Sequence, residues 1–418
     1  MTAPERRARG RLRLRLAAAL CAALAAAGCM PLVGGGTAGP GGARGPVRVA
    51  LVDVFSGTSP YASQGSYLQN SLQLEIDAMN AEGGLLGSKV ELVTVDDQLN
   101  LARTSDAVRQ VVADRSIRLL VGPSFAGLFL AAKPQVEQAR LPNCLTTMAA
   151  DDLMQGARHS FRAQPQDHAS VPALLGYVQH GTQLKKIGLI AEEDGVGQSF
   201  DQQLSGQAAH FGLQYLGAAF ATATGDQKAQ VQQILRQGAE AVVLSNNPAT
   251  ATRTLQAIAA LKVGGRLRTF GFGGLAGYAF PQQAGDAANG VVFTSTIQSY
   301  LSDVPEARWP SAYHDFVRKA QARFGLAPNG VEIKAVPAAA DCIVQWARAV
   351  QAANDFGGDR VARAWERLDL PAAQSVLGVR ERFSADDHDA VPPDAIAVYQ
   401  WAKNGATWSL KQLVGPPA

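Results

Sequence analysis

Asp386-Asp387-His388-Asp389 is the densest run of metal-ligating side chains in the sequence. Three carboxylates and an imidazole in four positions have the chemistry to hold a divalent cation. A calcium loop also needs Gly at its sixth position and an acid at its twelfth; this run has neither, so it reads as a solvated turn between two strands. Gly271-Phe272-Gly273-Gly274-Leu275-Ala276-Gly277 has the small residues of a phosphate cradle. Its spacing fits neither the dinucleotide fingerprint nor the Walker loop. Asp96-Asp97 has the groups for acid–base work, but it falls where a strand turns into a helix. The six His are scattered without metal-ligand spacing, and no Gly-x-Ser-x-Gly elbow occurs. The chain therefore reads as a non-enzyme, with no cofactor and no metal site.

The elements that carry these residues follow a simple alternation. Val47–Val54 is β-rich, and Gln64–Ala81 then sets Leu68, Leu72, Ile76 and Met79 on one helical face, stopped by Gly83-Gly84. Strands follow at Lys89–Val95, Ile117–Val121 and Asn143–Thr146, with helices at Thr104–Asp114 and from Pro123 to about Gln138. Repeated β-α-β units mean a parallel sheet covered on both faces. The periodicity lapses near Phe161–His168 and then restarts with strands at Lys186–Ala191, Leu213–Phe220, Ala241–Ser245, Leu267–Phe272 and Val291–Ser295. Two copies of one layout predict two similar α/β lobes. Three helices (Trp309–Phe324, Ile333–Ala353, Arg360–Leu368) and two strands (Ser375–Phe383, Ala395–Trp401) close the chain and must join those lobes.

The composition, 47% hydrophobic and 17% charged, is that of a globular protein. The net charge of +3 is misleading, because residues 1–28 contain six Arg and one acid and carry +5. What remains is 3 − 5 = −2, which gives no case for nucleic acid. Leu16–Ala27 is an apolar run of 12 residues, about 18 Å as a helix and too short to span a bilayer, so residues 1–28 are expected to be a signal peptide. Ala26-Ala27-Gly28-Cys29 resembles the bacterial lipobox, with Ala26 where Leu is usual. Cys29 is thus the expected lipidation site, ordinary cleavage after an Ala-x-Ala triplet being the alternative. Residues 29–46 are rich in Gly and Pro and are expected to form a flexible tether spanning roughly 20–25 Å. Cys144 and Cys342 remain, in an export setting that permits a disulfide; spacing leaves open whether they bond.

Several short runs, in order, resemble one family. They are Gly65 with Asn80 and Glu82-Gly83-Gly84-Leu85-Leu86-Gly87; Val95-Asp96-Asp97-Gln98; Leu120-Val121-Gly122-Pro123; Leu141-Pro142; Asp194 to Gly197; and the closing stretch from Phe383 to Gly405. Together they resemble the branched-chain amino-acid type of bacterial substrate-binding proteins of ABC transporters. The resemblance implies the type I periplasmic-binding fold, with two Rossmann-like lobes joined by three crossover segments. Lobe 1 is expected over residues 47–163 and 297–378, lobe 2 over residues 164–296 and 379–414. It also implies a monomer outside the cytoplasm, held to the membrane by its lipid, closing around one small molecule and delivering it to permease and ATPase subunits. A non-transport interaction or sensory lipoprotein with the same fold is the alternative.

Ligands of open parallel sheets sit beyond the carboxyl ends of the strands, which names the loops. Lobe 1 offers Phe55–Tyr61, Pro123–Gly127 and Thr146–Ala149; lobe 2 offers Glu193–Gly197, Asn246–Pro248 and Phe272–Leu275. The candidate ligand-binding residues are Tyr61, Ser124, Phe125, Ala126, Thr146, Thr147, Val196, Asn247, Gly274 and Tyr278. By the resemblance, Ala126 stands where the family has a Ser for the ligand carboxylate, and Ala149 where it has a Thr. Val196 and Asn247 replace aromatic residues, and Gly274 replaces the acid that pairs with the ligand ammonium. A desolvated ammonium without a carboxylate is expensive, so a neutral or anionic ligand stands beside an α-amino acid as a candidate.

Overall fold

The computed structural model describes residues 45–57, 61, 64–148, 151–222, 224–277, 279–296, 303–325 and 334–415. Residues 1–44, with Cys29 and the leader, lie outside this set, as does Tyr278.

β1 (Val47–Asp53) shows how the chain is layered. Val49 and Leu51 enter one core, while Ala50 and Val52 enter another on the opposite face. A strand apolar on both faces needs cover on both sides, and the next elements supply it. α1 (Gln64–Ala81) buries Leu68, Leu72 and Ile76, the expected face. β2 (Val90–Asp96) leads to α2 (Leu101–Ala113), which is capped by Asn100, whose Oδ1 accepts from the N–H groups of Ala102 (3.0 Å) and Arg103 (3.1 Å). β3 (Ile117–Val121), α3 (Ala126–Ala139), β4 (Asn143–Leu145) and β5 (Ser160–Arg162) complete an all-parallel sheet of order β2-β1-β3-β4-β5.

The layout then repeats. α4 (Asp167–Gly181), β6 (Lys186–Glu192), α5 (Gly195–Gln207), β7 (Gln214–Ala221), α6 (Lys228–Arg236), β8 (Ala241–Leu244), α7 (Pro248–Ala260), β9 (Arg268–Gly271), α8 (Ala279–Ala284) and β10 (Val292–Ser295) build the second lobe. Along β8, Val242 and Leu244 face one core and Ala241 and Val243 the other. α9 (Ser311–Phe324), α10 (Pro337–Ala353), α11 (Gly358–Trp365) and the short pair β11 (Asp369–Leu370) and β12 (Glu381–Arg382) return to the first lobe. The hairpin β13 (Ala397–Asn404) and β14 (Thr407–Val414) then adds two antiparallel strands to the second sheet, of order β14-β13-β10-β9-β8-β6-β7. The fold class is the one expected, α/β with two Rossmann-like lobes.

Three expectations change. Ser375–Phe383 is not a strand, because its N–H groups go to a side chain. Asp341 accepts from Val376 N–H at 2.6 Å and Leu377 N–H at 2.5 Å, leaving only Glu381–Arg382 for pairing. The terminal strands are therefore β13 and β14. The contacts also move two lobe borders. Asp303 is still bonded to β14, its N–H donating to Leu410 O and its carboxylate accepting from Gln412 N–H, whereas Trp309 already packs with Tyr313 and Phe316 in the first lobe. Residues 379–391, expected in lobe 2, have Phe383, Ala390 and Val391 in the core of β1, and the Ala390 N–H donates to Arg162 O. Finally, Asp386–Asp389 is solvated only in part: Asp389 pairs with the fully buried Arg162, and His388 is buried against Phe161.

Cys144 on β4 and Cys342 on α10 are bonded, with Cα atoms 5.8 Å apart. The bond fastens the late helix α10 to the sheet formed at the start of the chain.

Candidate ligand-binding cleft

Each strand named by the carboxyl-end rule delivers its loop to one cavity of about 450 Å³ between the lobes. Tyr61, Ser124, Phe125, Ala126, Thr146 and Thr147 line it from the first lobe, and Val196, Asn247 and Gly274 from the second. Nine of the ten candidates are thereby brought together; Tyr278 lies outside the described residues. Asp194, inside the named loop Glu193–Gly197, lines it too, and sequence reasoning missed Gln164, Glu192 and Ser245. Glu192 is the last residue of β6, one position before the loop as it was bounded. The strand read from sequence ends at Ala191 and the loop begins at Glu193, so a loop begun directly after the strand contains it.

On the first-lobe side, the Tyr61 and Phe125 rings meet edge to face, 5.1 Å between centroids. The Thr147 hydroxyl donates to Ser124 O at 3.0 Å, closing the two loops against each other. The Ser124 hydroxyl points inward and donates to Asp53, which also accepts from the Val54 N–H at 2.7 Å. Burial pushes the Asp53 carboxyl up to about 6 despite these donors. Ser124 is therefore engaged behind the cleft. Thr146 is 1% exposed, and its hydroxyl has no partner among the described residues. At the start of α3 the capping residue is Phe125, which offers the first N–H groups no side-chain acceptor.

The second lobe is acidic. Glu192 accepts from the Ser245 and Thr250 hydroxyls, one on each carboxylate oxygen. Asp194 caps α5 by accepting from the Gly197 N–H at 2.8 Å. Asn247 caps α7, with Oδ1 accepting from Ala249 N–H at 2.9 Å, and its Nδ2 reaches across the cavity to donate to Tyr61 Oη at 2.7 Å. Burial first, and then the charges of Glu192 and Asp194, raise the Tyr61 phenol above its usual range. Gly274 cannot carry the expected acid: its N–H donates to Asn246 Oδ1 at 2.6 Å, and a Cβ there would lie 1.9 Å from Asn246 O. The cleft has acids all the same, placed elsewhere. Among the described residues no cluster of His, Cys, Asp and Glu could hold a metal ion.

Residues 46–406 match the family described as periplasmic binding protein. The chain belongs to that family. As a periplasmic binding protein, it is 24% identical over 356 residues to Leu/Ile/Val-binding protein homolog 8 of Brucella abortus, covering 81% of this chain and 86% of that one. It shares its fold with a periplasmic binding protein type 1 from Bordetella pertussis, at a TM-score of 0.75 and 20% identity, over 88% of this chain and 100% of the other. A solute-binding protein of an ABC transporter from Rhodopseudomonas palustris, solved with 4-hydroxybenzoate, matches at a TM-score of 0.73 and 17% identity, over 89% and 98% of the two chains. The non-enzymatic reading stands on this membership, since the family and its fold relatives are binding proteins.

Proposed function

We propose that this periplasmic binding protein is the extracytoplasmic solute receptor of an ABC importer. It captures one small amino-acid-like, organic-acid or amide ligand by closing its two lobes, and delivers it to the permease. The observation that carries the reading is a cavity lined by loops from both lobes, with a Tyr61–Asn247 hydrogen bond running across it. A ligand touching both walls favours the closed arrangement by the extra contacts made only there, and the permease recognises that population. Cys29 carries the lipid, and residues 29–46 tether the lobes to the membrane surface. The relatives' names span branched-chain amino acids and an aromatic acid, so fold likeness alone leaves the ligand class open.

The test is native mass spectrometry of the chain expressed from Gly34. A small molecule that leaves on denaturation supports the reading, and its mass narrows the ligand. An empty protein is followed by thermal shift, where ligand at about 1,000 times its dissociation constant adds about 4 kcal/mol. Silence in both moves the weight to a sensory or interaction lipoprotein.

A further inference from the structure

The two ends of the first sheet differ in charge. The carboxyl ends, on the side of the cleft, hold Asp53, Asp96 and Asp97. The amino ends have a cation at every strand: Lys89 before β2, Arg48 in β1, Arg115 before β3, Arg140 before β4 and Arg158 before β5. Along this end, the starts of β3 and β4 and the turn into α11 enclose a groove of about 470 Å³. Arg115, Arg118, Arg140, Arg360 and Arg363 line it. Each of its three acids already has a cation: Asp114 pairs with Arg48, Asp355 with Arg360 at 2.5 Å and Asp359 with Arg140 at 2.7 Å. Arg115, Arg118 and Arg363 have no ion pair among the described residues, so the groove keeps a surplus of positive charge.

Where the chain enters the lobe decides what those charges meet. The Val47 N–H donates to Lys89 O at 2.9 Å and the Arg48 N–H to Ser116 O at 2.8 Å, so Pro46 joins the fold at this same end. The tether of residues 29–46 thus leaves from the cationic end of the sheet and not from the cleft end. A lipid on Cys29, as proposed above, holds that end within roughly 20–25 Å of the bilayer. The acids at the other end lie a strand length away, roughly 20 Å, or about two Debye lengths at 0.1 M salt. The charge of −2 on the chain after the leader is therefore no barrier to contact between this end and an anionic surface.

We propose that this groove docks the first lobe on the membrane through the phosphate groups of anionic phospholipids. Guanidinium groups suit that role, since their planar fork matches phosphate oxygens. The carboxyl ends of the strands, and with them the cleft, then face away from the surface. The choice of a membrane over a free anion rests on the lipid anchoring proposed above.

The cores of both lobes are built from Val47 onward, so the chain from Gly34 keeps them. The experiment is sedimentation of that chain with vesicles of phosphatidylcholine alone or mixed equally with phosphatidylglycerol. Binding is expected only with phosphatidylglycerol, and is lost between about 0.01 and about 1 M salt as the Debye length falls from roughly 30 to roughly 3 Å. Arg115→Gln, Arg118→Gln and Arg363→Gln together should weaken it at least about tenfold. Lys262→Gln, Arg266→Gln and Arg268→Gln together remove the same charge from exposed positions of the second lobe and should leave it unchanged. Equal weakening by the two triple variants, or equal binding to the two kinds of vesicle, overturns the proposal. So does binding of inorganic phosphate in calorimetry without any binding to vesicles. The lipid and salt comparisons use the unaltered protein, so they decide even where the arginine variant fails to fold. Mass spectrometry of the protein recovered from cell membranes tests the anchor separately. An unmodified Cys29 overturns the anchoring reading and the choice of a membrane with it, whereas an acylated Cys29 without vesicle binding overturns the docking alone.

Discussion

The side-chain amide of Asn247 donates a 2.7 Å hydrogen bond to the phenol oxygen of Tyr61, and the two residues belong to opposite lobes. The same Asn247 caps α7 through its other amide atom, Oδ1. One rigidly held residue of the second lobe thus latches onto an aromatic side chain of the first. A hydrogen bond between the lobes favours the closed arrangement by a contact made only there. Tyr61→Phe keeps the ring contact with Phe125 and removes only the acceptor. We expect a larger radius of gyration of the free protein by small-angle scattering. We also expect ligand affinity to fall about three- to tenfold, the worth of one neutral hydrogen bond. An unchanged scattering curve would mean that the latch does not set the opening.

Gly274 offers a different kind of test. Its Cβ position is filled by Asn246 O, and its N–H is held by the Asn246 side chain. Gly274→Ala must push two second-lobe loops apart, an overpacking penalty of about 1–3 kcal/mol. A lowered urea midpoint is expected, together with weaker ligand binding. Gly274→Glu, which restores the acid that the family resemblance places there, should not improve amine binding. Tighter binding by Gly274→Glu would show that the loop yields and that position 274 is available after all.

What could be read from the sequence follows from which forces are local. α1 was bounded at Gln64–Ala81, as observed, because its apolar face and its Gly stop lie in one continuous stretch. β1 and β8 were legible because strands buried on both faces read as short apolar runs. Ser375–Phe383 has the same apolar look, yet the N–H groups of Val376 and Leu377 are claimed by Asp341, 35 and 36 residues earlier, which no local pattern reveals. Asp386–Asp389 was misjudged for the same reason, its partner Arg162 lying 227 residues away. In the cleft, the carboxyl-end rule gathered nine candidates without a ligand in view. It misses Glu192 because the strand is read as Lys186–Ala191 and the loop as Glu193–Gly197, and the residue between them lines the cavity.

The Cys144–Cys342 bond closes a separation of 198 residues and ties α10 to β4 inside the first-lobe core. Long loops gain most from closure, since the cross-link chiefly restricts the unfolded chain. Cys342→Ala, or reduction with a thiol, is expected to lower unfolding stability by on the order of 2–5 kcal/mol, read as a drop in urea midpoint. Ligand affinity should change little, because neither cysteine lines the cleft. Equal midpoints with and without reductant would deny the bond a stabilising role.

The buried acids make stability depend on pH in a definite direction. Asp341 and Glu381 are both fully buried, and burial raises both carboxyls, Glu381 further by the charge of Asp341. Asp341 is pushed up to about 7, and Asp53, beneath the cleft, to about 6. A carboxyl whose pKa is higher folded than unfolded holds its proton in the native state while the unfolded chain releases it. Between the two pKa values the native state therefore binds more protons, and stability falls as pH rises. The window for Asp341 and Asp53 runs from about 4, the unfolded value, to about 6–7. Thermal midpoints should accordingly be higher at pH 5 than at pH 7.5. Glu381→Gln keeps a group that accepts from Gln345 Nε2 and takes away a carboxyl that has to bind a proton on folding. It should raise the midpoint at pH 7.5 by roughly 1–3 °C and flatten the slope. A midpoint that climbs with pH across this window would show that the pair is ionised and compensated in the native protein.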